Sequence, residues 1–147
     1  MTNPSKAKGT ATESAVVAYL RTAGFPTAER SALHGAKDQG DITGTPVCWE
    51  VKGGKAAETA SDGQVLAWMA ELDDECVNKG ADVGVLVLKR KGVGAANADR
   101  WWAVMWLHDI AQSYGFPSLM PSEAVPVRMT LADACRVLRA LGYGGAA

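Results

Sequence analysis

The stretch that decides the fold is Asp41-Ile-Thr-Gly-Thr-Pro-Val-Cys-Trp-Glu-Val-Lys52. Its beginning, Asp41–Thr43, and its end, Cys48–Lys52, are rich in the residue types that favour β-strands. The four residues between them, Gly44–Val47, contain a glycine and a proline and predict a turn. The glycines that follow Lys52 predict the end of the second strand. The stretch therefore predicts a β-hairpin.

Pairing across this turn brings two acidic residues together. The register places Ile42 opposite Trp49 and Asp41 opposite Glu50, so apolar side chains share one face and carboxylates share the other, beside Lys52. Two carboxylates at this distance repel each other unless one binds a proton or a cation joins them. Mg²⁺ is commonly held by one or two carboxylates, water and a substrate phosphate. The hairpin thus indicates a divalent-metal site; the alternative is a surface hairpin in which Lys52 neutralises Glu50.

A third acidic residue, Glu13, belongs to the first predicted helix, at about residues 10–23. It shares a helical face with Val16 and Leu20, which predicts that its carboxylate points toward the core side near the helix start. Thr10 and Glu13 also fit a capping box, in which Glu13 would bond back to the backbone of Thr10. Both interpretations, helix capping and support of a metal site, remain open from the sequence.

The second predicted helix spans residues 61–79. Val65, Met69, Leu72 and Cys76 recur at helical spacing and predict its buried side. We expect the acidic residues of this helix to lie mainly on the other side: Glu71, Asp73, Asp74 and Glu75.

The remaining segments predict an α/β chain with alternating elements. An apolar run at residues 83–88 is typical of a central strand buried on both faces. The other expected elements are a short extended piece at 27–31, a loop at 33–40, a strand at 101–107, a short helix at 108–114, a proline-containing loop through Pro126, and a final helix at 130–141.

Composition restricts the class of protein. The 147 residues suffice for one domain, and 48% hydrophobic with 21% charged residues exclude a disordered, collagen-like or disulfide-stapled chain. The three cysteines are odd in number and widely spaced, which predicts reduced thiols. With a net charge of -1 there is no global basic signature. We expect no membrane span and a cytoplasmic location, in a bacterium or a phage-infected host.

The acidic residues lie in a recognisable order. Glu13, Gly40-Asp41-Ile42 and Trp49-Glu50-Val51-Lys52 together resemble the PD-(D/E)xK nucleases, in particular the Holliday junction resolvases of archaea and phages. Gly40 stands where the family motif has a proline. The resemblance spans roughly residues 8–107 and extends to further segments in the same order: Lys8-Gly9, Glu29-Arg30-Ser31, Gln64 and Lys89-Arg90-Lys91.

The resemblance implies a restriction-endonuclease-like fold, a central mixed sheet flanked by helices. Residues 10–107 would form the nuclease core, preceded by a flexible basic arm at 1–9 and followed by a C-terminal helical extension of the same domain at 108–147. It also implies that Asp41 and Glu50 bind Mg²⁺ or Mn²⁺, that Glu13 completes the site as a third acid, and that Lys52 is the catalytic lysine. Asp38, in the loop before the hairpin, is a rival for the ligand role.

The implied activity is metal-dependent hydrolysis of phosphodiester bonds in branched DNA, most specifically resolution of four-way junctions by a homodimer. Trp102, Trp106 or the C-terminal helix are candidates for the dimer face. The alternatives are a related nuclease acting on linear, nicked or flapped DNA, and a non-catalytic DNA-binding protein of the same fold. The residues expected to contact DNA are Lys8, Arg30, Ser31, Lys37, Lys55, Gln64, Lys89, Arg90 and Lys91.

Overall fold

A computed structural model describes residues 4–32, 37–113 and 124–145. Its α-helices are α1 (Pro4–Thr22), α2 (Gly54–Glu58), α3 (Asp62–Lys79), α4 (Leu107–Ser113) and α5 (Leu131–Ala140). Its strands are β1 (Glu29–Arg30), β2 (Ile42–Thr43), β3 (Cys48–Lys52), β4 (Gly84–Leu88), β5 (Trp102–Trp106) and β6 (Pro126–Thr130). A 3-10 helix, Ala95–Arg100, precedes β5.

The six strands form one mixed sheet whose spatial order follows the chain from β1 to β6. The expected hairpin is confirmed, since β2 pairs antiparallel with β3 and Ile42 lies opposite Trp49. β3 then pairs in parallel with β4, with Glu50 beside Leu86, and the other neighbouring strands are antiparallel. The chain between β3 and β4 contains α2 and α3, the crossover that a parallel pair requires.

Apolar side chains cover both faces of the sheet. On one face, Leu20 of α1, Trp49 of β3 and Leu138 of α5 belong to a single buried cluster. On the other face, Met69 and Leu72 of α3 pack with Leu86 of β4. The predicted central position of the apolar run at 83–88 is confirmed, because every residue of β4 is buried.

Both ends of helix α3 lie where the sequence predicts. Ser61 caps its start by accepting a hydrogen bond from the backbone N–H of Gln64, and Gly80 ends it in the left-handed conformation with φ 75°. Glu50 alternates with Trp49 along β3 and therefore shares a face with Cys48. Cys48 belongs to the buried cluster that contains Met69 and Leu72 of α3, so α3 covers the face of the sheet that carries Glu50.

The expected start of the first helix is wrong. α1 begins at Pro4 rather than at Thr10, so residues 4–9 of the predicted arm are helical. Thr10 lies inside this helix and cannot be its N-cap, which also removes the capping box with Glu13. The sequence signal failed because the Thr-x-x-Glu pattern occurs here in a helix interior.

After residue 107, both expected helices are present, as α4 and α5, but the chain between them contains a strand that the sequence did not predict. Residues 126–130 form β6, which pairs with β5 along its length, from Trp102 opposite Thr130 to Trp106 opposite Pro126. α5 agrees closely with the predicted helix and buries Leu131, Ala134, Cys135 and Leu138 within the chain. The segment therefore completes the sheet and the core rather than extending them. No helix of the described residues has both the length and the apolar character needed to cross a membrane.

Candidate metal centre

The hairpin brings Asp41 and Glu50 into contact. The backbone N–H of Asp41 donates to the carbonyl of Trp49 at 2.8 Å, and Oδ2 of Asp41 accepts from the N–H of Val51 at 2.7 Å. The two carboxyl groups are joined by a side-chain hydrogen bond. The predicted juxtaposition of these acids is therefore present in the structure.

Glu75 of α3 adds a carboxyl group that the sequence analysis placed on the wrong side of its helix. Its side chain is buried, with only 5% of the residue exposed, and hydrogen-bonds to Glu50. Glu75 follows buried Leu72 by three residues and so lies on the border of the apolar stripe of α3. That spacing is the sequence signal that could have found it, but only the packing of α3 on β3 shows that its carboxyl group faces Glu50.

Asp38 completes a group of three converging acids. One oxygen each of Asp38, Glu50 and Glu75 lies within 4.8 Å of the other two. The loop approaches the strand closely at Gly40, where a Cβ would lie 2.7 Å from the carbonyl oxygen of Trp49. Gly40 has a φ of 91°, whereas the ring of proline fixes φ near −65°. The glycine that replaces the motif's proline thus permits the turn that brings Asp38 to the strand.

Burial and mutual repulsion raise the pKa values of Asp41, Glu50 and Glu75. Burial raises the pKa of Asp41 to about 8, and the hydrogen bond and charge of Glu50 act in the same direction. Burial also raises the pKa of Glu50 to about 7, with a further contribution from Glu75. The pKa of Glu75 rises to about 7, again chiefly through burial, and the charge of Asp38 adds to it. The cluster therefore holds protons that a cation would displace.

An unpartnered oxygen tests whether the residues fit a cation. Oε2 of Glu75 is buried and, among the described residues, has no hydrogen-bond partner. A buried carboxylate oxygen without a partner is costly, and a divalent cation bound by the neighbouring acids would remove that cost. The donor set of carboxylate oxygens suits Mg²⁺ or Mn²⁺. The residues present fit such an ion.

Two free cysteines stand beside the acids. Cys48 is buried next to Cys76, and the hydrogen bond between them, together with burial, raises the pKa of Cys48. The expectation of free rather than disulfide-linked cysteines is confirmed for Cys48, Cys76 and Cys135. Because the Cys48 thiol stays protonated, it adds no anionic sulfur ligand to the oxygen donors.

Lys52 points its ammonium group at the same cluster. Its Nζ lies 4.0 Å from Oε1 of Glu50 and 3.8 Å from Oε2 of Glu71. The ring of Trp68 supports the ammonium at 5.5 Å from its centroid. Contacts from β3 and α3 thus position the ammonium group of Lys52 at the edge of the acid cluster. The side chain of Lys52 remains 28% exposed there.

Glu13 lies nearby but is engaged elsewhere. Its Oε2 accepts a hydrogen bond from Nε of Arg30 at 3.0 Å. Burial raises the pKa of Glu13, although Arg30 opposes the rise. A cavity of about 240 Å³ is lined by Glu13, Arg30, Ser31 and Asp41, so Glu13 faces Asp41 rather than the group formed by Asp38, Glu50 and Glu75.

The residues expected to contact DNA fall into separate regions. Arg30 and Ser31 line the cavity beside Asp41, and Lys37 is exposed just before Asp38. Gln64 is exposed in the first turn of α3, and the side chain of Lys8 lies outside the described structure. Lys55, Lys89 and Lys91 line a second, larger cavity. Arg90 instead stacks on Trp102, with its Cζ 4.0 Å from the ring centroid.

Comparison with known proteins gives no match to a family model, to a curated protein or to a solved structure. The geometry of the acid cluster and the resemblance of the short motifs are therefore the observations that bear on function.

Proposed function

We propose that the chain is a divalent-metal-dependent endonuclease that hydrolyses phosphodiester bonds in DNA, with four-way junctions as its substrate. One observation carries the proposal. The carboxyl groups of Asp38, Glu50 and Glu75 converge within 4.8 Å, and Lys52 lies 4.0 Å from Glu50. The carboxylate oxygens can hold the metal ion, and the lysine supplies the positive charge beside it that metal-dependent phosphodiester hydrolysis uses.

Glu50, Glu75 and Asp38 would hold the metal, and Asp41 would either fix Glu50 through their hydrogen bond or contribute an oxygen of its own. When bound, Mg²⁺ polarises a phosphate oxygen and lowers the pKa of a coordinated water. The buried position of Glu50 and Glu75 strengthens their interaction with a cation, because screening by water is weaker there than at the surface.

Lys52 would act on the reacting phosphate. Glu71 and Trp68 keep its ammonium near the acids, so it can donate a hydrogen bond to a non-bridging phosphate oxygen or hold the attacking water. Either contact stabilises the charge that develops as the new bond to phosphorus forms. An exposed fraction of the lysine side chain leaves it accessible to a DNA strand.

The preference for branched DNA is supported by the motif resemblance alone. A two-fold homodimer would present two sites to a two-fold junction, as two cuts require. Trp106 is buried and donates to Asp73 at 2.8 Å, and the apolar side of α5 packs inside the chain, so a dimer face on α5 would use its exposed polar side.

A cleavage assay tests the proposal. The purified chain is incubated with a mobile four-way junction and with a linear duplex of equal length, in Mg²⁺, in Mn²⁺ and in chelator. We expect metal-dependent cutting of the junction, a loss of about 100-fold or more in Glu50→Gln, and little change in binding. Asp74→Asn, an exposed acid on α3, serves as the matched control.

The outcomes separate the candidate functions. Equal cutting of both DNA forms would indicate a nuclease for linear, nicked or flapped DNA. Tight binding without cutting in either metal would indicate a DNA-binding protein. Undiminished cutting by Glu50→Gln would refute the proposed site.

A further inference from the structure

A second cavity lies on the far side of the turn that follows Lys52. It has a volume of about 480 Å³ and is bordered by α1, by α2 and by the chain that leaves β4. β3 and β4 are parallel, so both strands point their carboxyl ends toward it. Ligands of open α/β sheets commonly bind outside the carboxyl ends of parallel strands. The cavity also falls within the range of volumes found for ligand sites.

The charges of this cavity are mostly positive. Lys55, Lys89 and Lys91 line it, and Glu58 neutralises Lys89 through an ion pair of 2.6 Å. In the part of the chain that the structure describes, Lys55 and Lys91 form no ion pair. The ligand that would balance them is an anion.

The rest of the lining is largely uncharged. Ala11 and Ala95 leave space at two sides, whereas Trp101 belongs to the buried core and shows almost no surface to the cavity. An inorganic phosphate would leave most of such a volume empty. A ligand with an anionic group and a larger uncharged portion fits the cavity better, and a nucleotide has both.

The cavity adjoins the acid cluster through close packing of α1 on the chain after β3. A Cβ on Gly53 would lie 2.4 Å from Oγ1 of Thr12, which lines the cavity, whereas the next residue, Glu13, lines the cavity beside Asp41. Gly54, also in the lining, follows Lys52 by two residues, which span at most about 7 Å. A DNA strand at Lys52 is therefore within reach of the cavity.

We infer that this cavity binds one nucleotide of the DNA strand near the cleaved bond, with its phosphate on Lys55 and Lys91 and its sugar and base against Ala11 and Ala95. The inference rests on the proposed DNA substrate but not on cleavage. Two sources share this chemistry: a terminal nucleotide with a 5′-phosphate, and a nucleotide in the interior of the strand.

Fluorescence anisotropy of a short single strand, labelled at its 3′ end and measured in chelator over a range of salt, tests the inference. Lys55→Ala and Lys91→Ala should each weaken binding by about threefold to tenfold and lower the salt slope by about 0.7, the loss of one phosphate contact on a single strand. Ala11→Leu fills the cavity without changing charge and should weaken binding by a similar factor at unchanged slope. The matched controls are Arg136→Ala and Ala18→Leu, at exposed positions outside the lining.

Strands with a 5′-phosphate and with a 5′-hydroxyl distinguish the two sources. If the lysine and leucine variants lose affinity only for the phosphorylated strand, the cavity binds a terminal nucleotide; equal losses for both strands indicate an interior one. Wild-type affinity in all three variants, with DNA still bound, would overturn the inference and leave the proposed nuclease intact. If the wild-type chain does not bind the single strand, the inference fails, and the junction cleavage assay decides the proposed nuclease separately.

Discussion

At the scale of single residues, Glu50 is the centre of the candidate metal site. Its carboxyl group hydrogen-bonds to Asp41 on one side and to Glu75 on the other, so it links the acids of two other segments. Acids linked in this way need shared protons or a cation, because their negative charges repel. The chemistry we propose follows from replacing those protons with a divalent ion.

Glu75 and Asp74 are neighbours on α3, and substituting each in turn tests whether the buried acid is the one that binds metal. We expect Glu75→Gln to lower metal-dependent cleavage by about 100-fold and to weaken Mn²⁺ binding, since it removes a charged ligand oxygen. Asp74→Asn changes an exposed carboxylate one residue away and should leave both unchanged. Cleavage rates and calorimetric titration with Mn²⁺ provide the comparison, and equal effects of the two variants would count against the site.

The raised pKa values predict how the stability of the metal-free chain depends on pH. Asp41 has a pKa of about 8 in the folded chain and an ordinary value of 3.8, so between these values the folded chain binds more protons than the unfolded chain. Its contribution to stability is therefore complete below about pH 4 and is lost as the pH rises through about 8. Thermal unfolding in chelator should give a lower Tm at pH 8.5 than at pH 5.5, and Asp41→Asn should reduce the difference.

Magnesium should reverse that trend, because a cation replaces the lost protons as the acids ionise. The rise in Tm on adding Mg²⁺ should be larger at pH 8.5 than at pH 5.5. A rise that is independent of pH would show that the ion binds away from these carboxyl groups.

The sequence predicted Asp41 and Glu50 as a contacting pair because strand alternation and a short turn fix both positions locally. Glu75 could not be predicted in the same way. Its helical phase lies on the border of the buried stripe, and its role depends on how α3 packs against β3, a contact between segments distant in sequence. Asp38 was considered only as a rival because the course of its loop depends on the left-handed conformation of Gly40.

At the scale of elements, the position of α3 on the sheet determines where Glu75 points. Gly84 at the start of β4 makes this close packing possible, because a Cβ there would lie 2.6 Å from Sγ of Cys76 and 2.9 Å from Cγ of Leu72. The helix is therefore seated directly on the strand, and any residue larger than glycine would push it outward.

Two glycine substitutions test that packing. Gly84→Ala should destabilise the chain by about 1–3 kcal/mol and also lower cleavage, since α3 must shift together with Glu75. Gly63→Ala, in the first turn of α3 with no neighbour nearer than 3.9 Å, should stabilise by up to about 1 kcal/mol by favouring the helix. Denaturant unfolding and the cleavage assay measure both effects. A harmless Gly84→Ala would show that the helix can move without consequence.

Most elements were predictable where a local signal marked both ends. α3 has Ser61 and Gly80 at its boundaries, and β4 is a continuous apolar run. β6 was missed because Pro126 indicated a loop, yet a proline is tolerated at the first residue of an edge strand, where its missing N–H costs no sheet hydrogen bond.

At the scale of the whole molecule, the C-terminal segment is part of the core. β6 is the sixth strand of the sheet, and Leu131, Cys135 and Leu138 of α5 belong to the same buried cluster as α1 and β3. The C-terminal segment lies after the motif-bearing residues in the sequence, but it packs with them in the folded chain. The reason is that the apolar faces of α1 and α5 are buried against the same side of the sheet.

A truncated chain tests whether the C-terminal segment is needed for folding. Ending the chain after residue 123 removes β6 and α5 and should prevent cooperative folding, because it exposes the apolar face of the sheet and of α1. Circular dichroism during heating should show no cooperative transition. The point variant Leu138→Ala should cost about 2–5 kcal/mol, whereas Arg136→Ala on the exposed side of α5 should cost little. A truncated chain that melts like the full chain would show that the segment is a dispensable extension.

The most direct measurement is the anomalous scattering of Mn²⁺ in crystals of the chain. We expect one peak in the anomalous difference map, within about 2.5 Å of carboxylate oxygens of Glu50 and Glu75 and close to Asp38 or Asp41. The peak should be absent in crystals of Glu50→Gln. A map without a peak at this position in the wild-type chain, with the acids still hydrogen-bonded to one another at high pH, would contradict the proposed metal site.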